Sequence, residues 1–220
     1  MRDFDRIRSF ILSYGKDEQG RLEELYKDAV SQNVPVIRPD MKELLRLLLL
    51  MKRPDRILEV GTAWGFSALF MSECAPQAKI ISIEADHERL EEAKRRIDLM
   101  EKSDRIEVLE GDAAKVLADM SVSDKIGFDF AFIDAAKAQY LEYFTLIRPM
   151  LRPGAVVVSD NVLQDGTILE SHFLVEKRDR TIHDRMREYL EYLTHTPGLV
   201  TDILPVGDGA AVTVVDDAWM

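Results

Sequence analysis

The chain has 220 residues, of which 46% are hydrophobic and 31% charged, and its formal net charge is −11. This composition is ordinary for a globular protein, and the length suits one large domain. The acidic balance argues against indiscriminate binding of polyanions, although it leaves room for a local basic patch. One cysteine, Cys74, excludes an intramolecular disulfide and a zinc site made of thiolates.

No stretch of the sequence is apolar for long enough to cross a bilayer, and the first ten residues mix both charge signs, unlike a signal peptide. We therefore expect a cytoplasmic protein that does not associate with membranes. No repeat or Gly/Ser linker divides the chain, which predicts a single domain over residues 1–220. Within it we expect a helical cap over residues 1–53 and an α/β core over residues 54–220.

The cap is expected to be helical because its apolar residues recur at helical spacing, interrupted by Pro35 and Pro39. After Pro54 the pattern changes to short apolar strands that alternate with amphipathic helices. The predicted strands are Arg56–Gly61, Lys79–Glu84, Arg105–Glu110, Phe128–Asp134, Ala155–Asp160, Thr201–Pro205 and Ala210–Val215. The predicted helices of this part span 65–75, 86–101, 112–120, 138–151 and 179–195.

This alternation predicts an α/β fold, with a parallel sheet that carries helices on both faces. The segment PVGDG between the last two predicted strands is typical of a hairpin turn, so the last strand should run antiparallel. The expected architecture is a seven-stranded, mostly parallel sheet with extra N-terminal helices.

Ligands of such sheets bind beyond the carboxyl ends of the parallel strands. Five successive predicted strands end in or just before an acidic residue, a pattern that packing alone explains poorly. These residues are Glu59, Glu84, Asp112, Asp134 and Asp160. The sequence therefore predicts a functional site at this edge of the sheet.

The first strand-to-helix turn, in ILEVGTAWGFSA (57–68), has glycines at 61 and 65, which allow close approach of a ligand to the backbone. Their spacing is not that of the G-x-G-x-x-G dinucleotide fingerprint, and Glu59 lies two residues before the first of them. A cationic or zwitterionic nucleoside suits this turn better than a pyrophosphate does.

The ends of the second and third strands offer groups for a nucleoside. Glu84 is placed to accept hydrogen bonds from ribose hydroxyls, or it only supplies negative charge to the next helix. Asp112 and Ala113 are placed to border an adenine ring, or Asp112 is only a helix N-cap.

The ends of the fourth and fifth strands offer oxygen ligands. Asp134 follows an apolar strand, Lys137 comes three residues later, and Asp160 and Asn161 end the next strand. Neighbouring strands bring such side chains together. Two carboxylates and an amide oxygen make a site suited to Mg²⁺ or another divalent cation. Taken alone, Asp160 and Asn161 would indicate only a turn.

Two other groups of residues have weaker patterns. The basic segment KRDRTIHDRMR (177–187) has five cationic residues against two aspartates, which indicates either a binding patch or a solvated helix face. The histidines at 87, 172, 183 and 195 lack the spacing of metal ligands, so we expect them at the surface or behind the site.

Five motifs, ILEVGTAWGFSA, IEAD, GDA, FIDAAK and SDN, together resemble the cation-dependent O-methyltransferases of the catechol and caffeoyl-CoA type, also called family 3. The resemblance covers nearly the whole chain and implies the Rossmann-like class I methyltransferase fold. Within the family, KRDRTIHDRMREYL and ILPVGDGAAVTVV look most like the bacterial group that methylates tRNA 5-hydroxyuridine at the wobble position, giving 5-methoxyuridine.

The resemblance implies S-adenosylmethionine as methyl donor, Mg²⁺ or another divalent cation, and a homodimer. The donor would lie near Ile37, Glu59, Gly61, Ser67, Glu84, Asp112, Ala113 and Asp134. The cation would be held by Asp134, Asp160 and Asn161, and Lys137 would be the general base. Arg38, Lys177, Arg178 and Arg180 are candidate tRNA contacts. Trp64 departs from the family by its bulk.

The leading hypothesis is therefore a Mg²⁺-dependent methyltransferase acting on tRNA 5-hydroxyuridine. The main alternative is the same chemistry on a small catechol or a caffeoyl-CoA-like phenol, because each acceptor offers two adjacent oxygens. An alternative of another class is a nucleotide-binding regulator without turnover. The missing fingerprint disfavours a nicotinamide oxidoreductase.

Overall fold

The computed structural model describes residues 2–15, 20–123 and 127–216. In these residues the strands are β1 Arg56–Val60, β2 Lys79–Glu84, β3 Ile106–Glu110, β4 Phe128–Ile133, β5 Leu151–Ser159, β6 Leu199–Leu204 and β7 Ala210–Val215. The α-helices are α1 Arg2–Leu12, α2 Arg21–Ser31, α3 Pro39–Lys52, α4 Phe66–Cys74, α5 His87–Leu99, α6 Ala113–Ser123, α7 Tyr140–Ile147 and α8 Arg180–His195. None of these helices has the length and apolar character needed to span a membrane.

The strands form one sheet in the order β3-β2-β1-β4-β5-β7-β6. Pairing is parallel from β3 through β5, while β7 runs antiparallel to both β5 and β6. The predicted Rossmann-like fold with an antiparallel last strand is confirmed. The strand order reverses between β1 and β4, and such a switch point opens a crevice for ligands at the carboxyl ends of the strands.

Both faces of the sheet are covered, which explains why the central strands read as continuous apolar runs. Successive side chains of β4 point to opposite faces. Phe130 and Phe132 pack in the core under α2 to α5, whereas Ala131 and Ile133 pack in the core under α6 to α8. The packing of the buried strands therefore determines which residue of each strand comes last at the carboxyl edge of the sheet.

Two predicted elements differ from the observed ones for local reasons. Strand β5 begins at Leu151 rather than Ala155, and its register against β4 shifts near Pro153 and Gly154, where proline has no amide to donate and the glycine has φ 74°. The helix predicted over 138–151 is split, since 3₁₀ turns over 137–139 and 148–150 flank α7.

The N-terminal helices are fastened to the site edge by Asp40, in the first turn of α3. Its carboxylate accepts hydrogen bonds from Arg8 Nε at 2.7 Å and from the Gly207 amide, in the turn between β6 and β7, at 2.9 Å. The Arg8 guanidinium and these hydrogen bonds outweigh burial and hold the pKa of Asp40 below its usual value. One side chain therefore joins α1, α3 and the last hairpin.

We expect Asp40→Ala to lower the free energy of unfolding by about 1–3 kcal/mol, because it removes the acceptor that Arg8 and the amide of Gly207 share. Urea denaturation measures this change. The matched control is Glu43→Ala on the same helix, whose carboxylate makes only a half-exposed contact with Arg46 and should change stability by less than about 0.5 kcal/mol. Equal effects of the two variants would show that Asp40 is not a tether.

Candidate functional site

A cavity of about 460 Å³ opens at the carboxyl edge of the sheet, beside the switch point. Most residues predicted for the donor and the cation line it. These are Ile37, Gly61, Ser67, Glu84, Asp112, Ala113, Asp134, Lys137 and Asn161. Glu59 and Asp160 are 0% and 2% exposed and lie behind this wall. The structure thus places these predicted residues around one cavity.

The backbone brings Asp134 and Asp160 to the same level. Ile133 pairs with Ser159 across the β4–β5 ladder, and the amide of Asp160 donates to the carbonyl of Ile133 at 3.0 Å. Asn161 follows with φ 56°, a left-handed conformation that asparagine tolerates better than most residues, and its amide donates to Asp160 Oδ1 at 2.6 Å. The strand therefore ends in a turn, as its residue types suggest, and this turn faces the cavity.

Two neighbouring carboxylates make the electrostatic environment at the ends of β4 and β5 favourable for a positive charge. Burial, and then the nearby carboxylate of Asp134, raise the pKa of Asp160 to about 7. Burial also raises the pKa of Asp134, while the ammonium of Lys137 lowers it. Two buried carboxylates side by side disfavour each other's charged form, and a cation between them would restore it. The donor set contains only oxygen, which fits a hard divalent ion.

The glycines of the first turn have packing roles that the sequence did not reveal. Gly61 has φ 102°, and a Cβ built on it would lie 2.0 Å from the carbonyl oxygen of Asp134. Gly65 precedes α4 with φ 79° and lies against Ala93 of α5. We expected these glycines to make room for a ligand. At Gly61, however, a side chain would collide with the backbone at the end of β4, so the glycine makes room for the neighbouring strand.

Helix α4 directs its N-terminus at the cavity, and Phe66 and Ser67 of its first turn line it. The first-turn amides of a helix have no intrahelical acceptor, so they suit a carboxylate. Burial raises the pKa of Glu59 to about 7, although the nearby hydroxyls of Ser67 and Ser82 lower it. Ser82 donates a hydrogen bond to this carboxylate, while its Oε1 has no hydrogen-bond partner among the described residues. Glu59 therefore lies beneath the cavity rather than bordering it as predicted.

Glu84 is held in place by the backbone. Its Oε2 accepts from the amide of Ala63 at 2.7 Å and its Oε1 from the amide of Asp86 at 3.0 Å. Each carboxylate oxygen keeps a second acceptor position, so the group can still receive two vicinal hydroxyls. Asp112 accepts from the amide of Lys115 at 3.1 Å as a helix cap and also lines the cavity, so the two interpretations of it coexist.

The three arginines predicted to contact tRNA have local partners. Arg180 donates to the carbonyls of Val175 and Phe173, at 3.1 and 3.4 Å, and so orders the segment before α8. Arg178 forms ion pairs with two acidic neighbours, and Arg38 pairs with Asp165 at 3.1 Å. Lys177 is exposed. Much of the basic segment therefore has the character of a solvated helix face.

Sequence reasoning missed two supports of the site. Buried Tyr140 donates its hydroxyl to the carbonyl of Asp160 at 3.1 Å. Trp64, which lines the cavity, stacks on the guanidinium of buried Arg96 at 4.2 Å, and Arg96 donates to the carbonyl of Leu25 in α2. The bulk of Trp64 thus has a partner thirty-two residues away, and only the fold reveals the pair.

The expectation for the histidines is wrong in one respect. His183 is 2% exposed, and the fold brings it together with His172 and Asp184, twelve residues apart at most in sequence. Spacing alone could not find this group because an irregular segment carries His172 back onto α8.

Comparisons with known proteins agree with this geometry. A family model described as O-methyltransferase matches residues 13–215. A catechol O-methyltransferase from Niastella koreensis is 31% identical over 137 residues, which cover 62% of this chain and 62% of that protein. A catechol O-methyltransferase from Mycobacterium tuberculosis is 32% identical over 166 residues, covering 73% of this chain and 71% of that protein. The chain thus spans less than two thirds of the length of the Niastella relative.

The solved structure of an O-methyltransferase from Bacillus cereus in complex with SAH has a TM-score of 0.84 at 25% identity, and the match covers 96% of this chain and 97% of that chain. The family match extends over nearly the whole sequence, and the fold agrees with it. The chain therefore belongs to the family of S-adenosylmethionine-dependent O-methyltransferases of the catechol and caffeoyl-CoA type.

Proposed function

We propose that this chain catalyses the divalent-cation-dependent transfer of a methyl group from S-adenosylmethionine to one hydroxyl of a small phenol with two vicinal oxygens. The observation that carries the proposal is the meeting of Asp134, Asp160 and Asn161 beside Lys137, at the edge of the cavity that the glycine turn borders. Family membership supplies the reaction class.

The chain's residues divide between two groups to be bound. The N-terminus of α4, with Ser67, would receive the carboxylate of the donor, Glu84 its ribose, and Asp112 with Ala113 its adenine. Ile37 lines the same cavity from the segment before α3. Asp134, Asp160 and Asn161 would hold the cation, for which Mg²⁺ fits the oxygen donors.

When bound, the cation lowers the pKa of an acceptor hydroxyl, and the sulfonium donor supplies an electrophilic methyl group. Lys137 lies at the cavity wall, where its Nζ, in the neutral amine form, would take the hydroxyl proton as the C–S bond to the methyl group breaks and the O–C bond forms. Asp134 and Asp160 would hold the acceptor hydroxyl next to the methyl group of the donor, and this proximity would supply much of the rate acceleration.

The choice of a small phenol rests on two observations. Relatives named catechol O-methyltransferase match large parts of the chain. The guanidinium of Arg180 is engaged by backbone carbonyls, which leaves it poorly placed for phosphate. tRNA 5-hydroxyuridine is a second candidate acceptor, favoured by the exposure of Lys177 and Arg178.

The homodimer that we also propose is supported by exposed apolar residues on α3, which are Leu47, Leu50 and Met51.

The acceptor is tested by comparing kcat/KM for a catechol and for tRNA that carries unmethylated 5-hydroxyuridine, each with Mg²⁺ and with EDTA. We expect cation-dependent methylation of the catechol at a kcat/KM at least about tenfold higher, because the three arginines predicted to contact tRNA have protein partners. A higher value for tRNA, together with its loss in Arg178→Ala, would reverse this assignment. Absence of methylation of both would contradict the proposed reaction.

Asp160→Ala should abolish cation-dependent turnover while the Kd for S-adenosylhomocysteine stays within about threefold, because the residue lies behind the acceptor side of the cavity. Calorimetry and a methyl-transfer assay measure the two quantities. Asp104→Ala is the matched control, since this exposed carboxylate precedes β3 at the opposite edge of the sheet. Parallel loss of turnover and of nucleoside binding would show that Asp160 has only a structural role.

The raised pKa of Asp160 predicts that Mg²⁺ binds more tightly as the pH rises. Below about pH 7 the carboxyl is protonated and the cation must displace that proton, so the Kd should fall about tenfold between pH 6 and pH 8.

The raised pKa of Asp160 also affects the stability of the cation-free protein. Its free energy of unfolding should fall as the pH rises from about 4 to about 7, because the folded state binds the proton more tightly than the unfolded state does.

Calorimetric titration with Mg²⁺ at three pH values measures the Kd. In Asp160→Ala the tenfold change should disappear along with most of the affinity. A Kd in the unmodified protein that does not vary between pH 6 and pH 8 would show that this carboxyl does not bind the ion.

A further inference from the structure

Three potential ligand atoms lie close together where the segment that joins β5 to α8 packs against the start of α8. His172 Nδ1 lies 2.8 Å from Asp184 Oδ1, and His183 Nδ1 lies 3.2 Å from the same oxygen. All three atoms lie within 4.8 Å of one another. None of these residues lines the cavity described above, so the group is separate from the proposed active site.

The hydrogen bonds of His183 leave one of its nitrogens in an unusual position. The ring is 2% exposed, and its Nε2 lies 3.1 Å from the carbonyl oxygen of Glu170. A carbonyl oxygen only accepts, so Nε2 carries the proton, and in a neutral imidazole Nδ1 is then a bare acceptor. That bare nitrogen faces a carboxylate oxygen, which is also an acceptor. Only a cation can make this contact favourable: a second proton on the ring or a metal ion.

The neighbours of His183 favour the metal ion. His172 directs a second imidazole nitrogen at the same carboxylate oxygen. Separations of 2.8 and 3.2 Å approach the roughly 3.3 Å between ligands of a tetrahedral ion with bonds of about 2.0–2.1 Å. The carbonyl of Glu170 supplies the hydrogen bond that metal-bound histidines make with their other nitrogen.

We propose that His172, His183 and Asp184 form a site for Zn²⁺ or a similar transition-metal ion, distinct from the oxygen site of the active centre. Two imidazoles and a carboxylate suit such ions and not Mg²⁺. The side chains of His172 and Asp184 are 43% and 52% exposed, so water has access to a fourth position.

The ion would fasten the segment before α8 to that helix. Arg187 already donates to the carbonyls of Ile168 and Glu170, and Gln164 reaches the carbonyl of Ile182. Exposed Phe173 and Leu174 follow His172 directly. The site is therefore structural, and it orders the chain that continues from Asn161 at the active centre.

The test uses the full chain, stripped of metal and then titrated with Co²⁺ in the presence of millimolar Mg²⁺, which occupies the oxygen site. We expect one equivalent of Co²⁺ to give the intense visible bands of a four- or five-coordinate ion with nitrogen ligands, and Zn²⁺ to displace it. His172→Ala should remove these bands or weaken Co²⁺ binding by about tenfold or more. Because His172 is partly exposed, this variant should fold, whereas a change at buried His183 risks misfolding.

Two controls separate this site from the active centre and from surface imidazoles. Asp160→Ala should keep the bands, and so should His195→Ala, which removes an exposed histidine at the other end of α8. Bands that persist in His172→Ala, or that disappear in Asp160→Ala, would overturn the proposal. So would a wild-type protein that gives no bands at about 100 μM Co²⁺. None of these outcomes depends on methyl transfer.

Discussion

The structure depends on two carboxylates held side by side, Asp134 at the cavity wall and buried Asp160, where β4 and β5 end at the same level. Parallel pairing fixes that level, and the apolar runs before it fix which residues emerge there. Neighbouring carboxylates with little exposure disfavour each other's charged form, so a proton on one of them or a bound cation would stabilise this edge of the sheet.

Several other features hold this pair in place. Tyr140 fixes the carbonyl of Asp160 from α7, and the glycine at position 61 lets the end of β1 lie against the backbone of Asp134. On the opposite side, Gly207 lies 3.7 Å from Asp160 Oδ1, measured from a Cβ built on it, and Asp40 holds its amide. The N-terminal helices are therefore coupled to the acceptor side of the site through the last hairpin.

The sequence predicted what local periodicity and strand order determine. Apolar runs placed all seven strands within a few residues, and the topology rule then brought Asp134, Asp160 and Asn161 together. The prediction was wrong where the position of a residue depends on the direction of its side chain or on contacts with residues distant in sequence. The alternation of β1 places Glu59 beneath the cavity, although its position in the motif suggested the wall.

Contacts between distant parts of the chain were out of reach for the same reason. The stacking of Trp64 on Arg96 joins the first turn to α5, and the meeting of His172 with His183 depends on an irregular segment. Neither has a fixed spacing that a pattern could detect. Sequence reasoning therefore finds sites at strand ends more readily than sites made by folded-back loops.

The two clusters also differ in the ions that they would select. Zinc binds most protein sites more tightly than magnesium does, so a site of carboxylates alone cannot exclude it by affinity. Two imidazoles with a carboxylate, as in His172, His183 and Asp184, instead suit a transition-metal ion and not Mg²⁺. The donor atoms of each cluster therefore determine which ion it would prefer: oxygen alone at the strand ends, and nitrogen with oxygen at the start of α8.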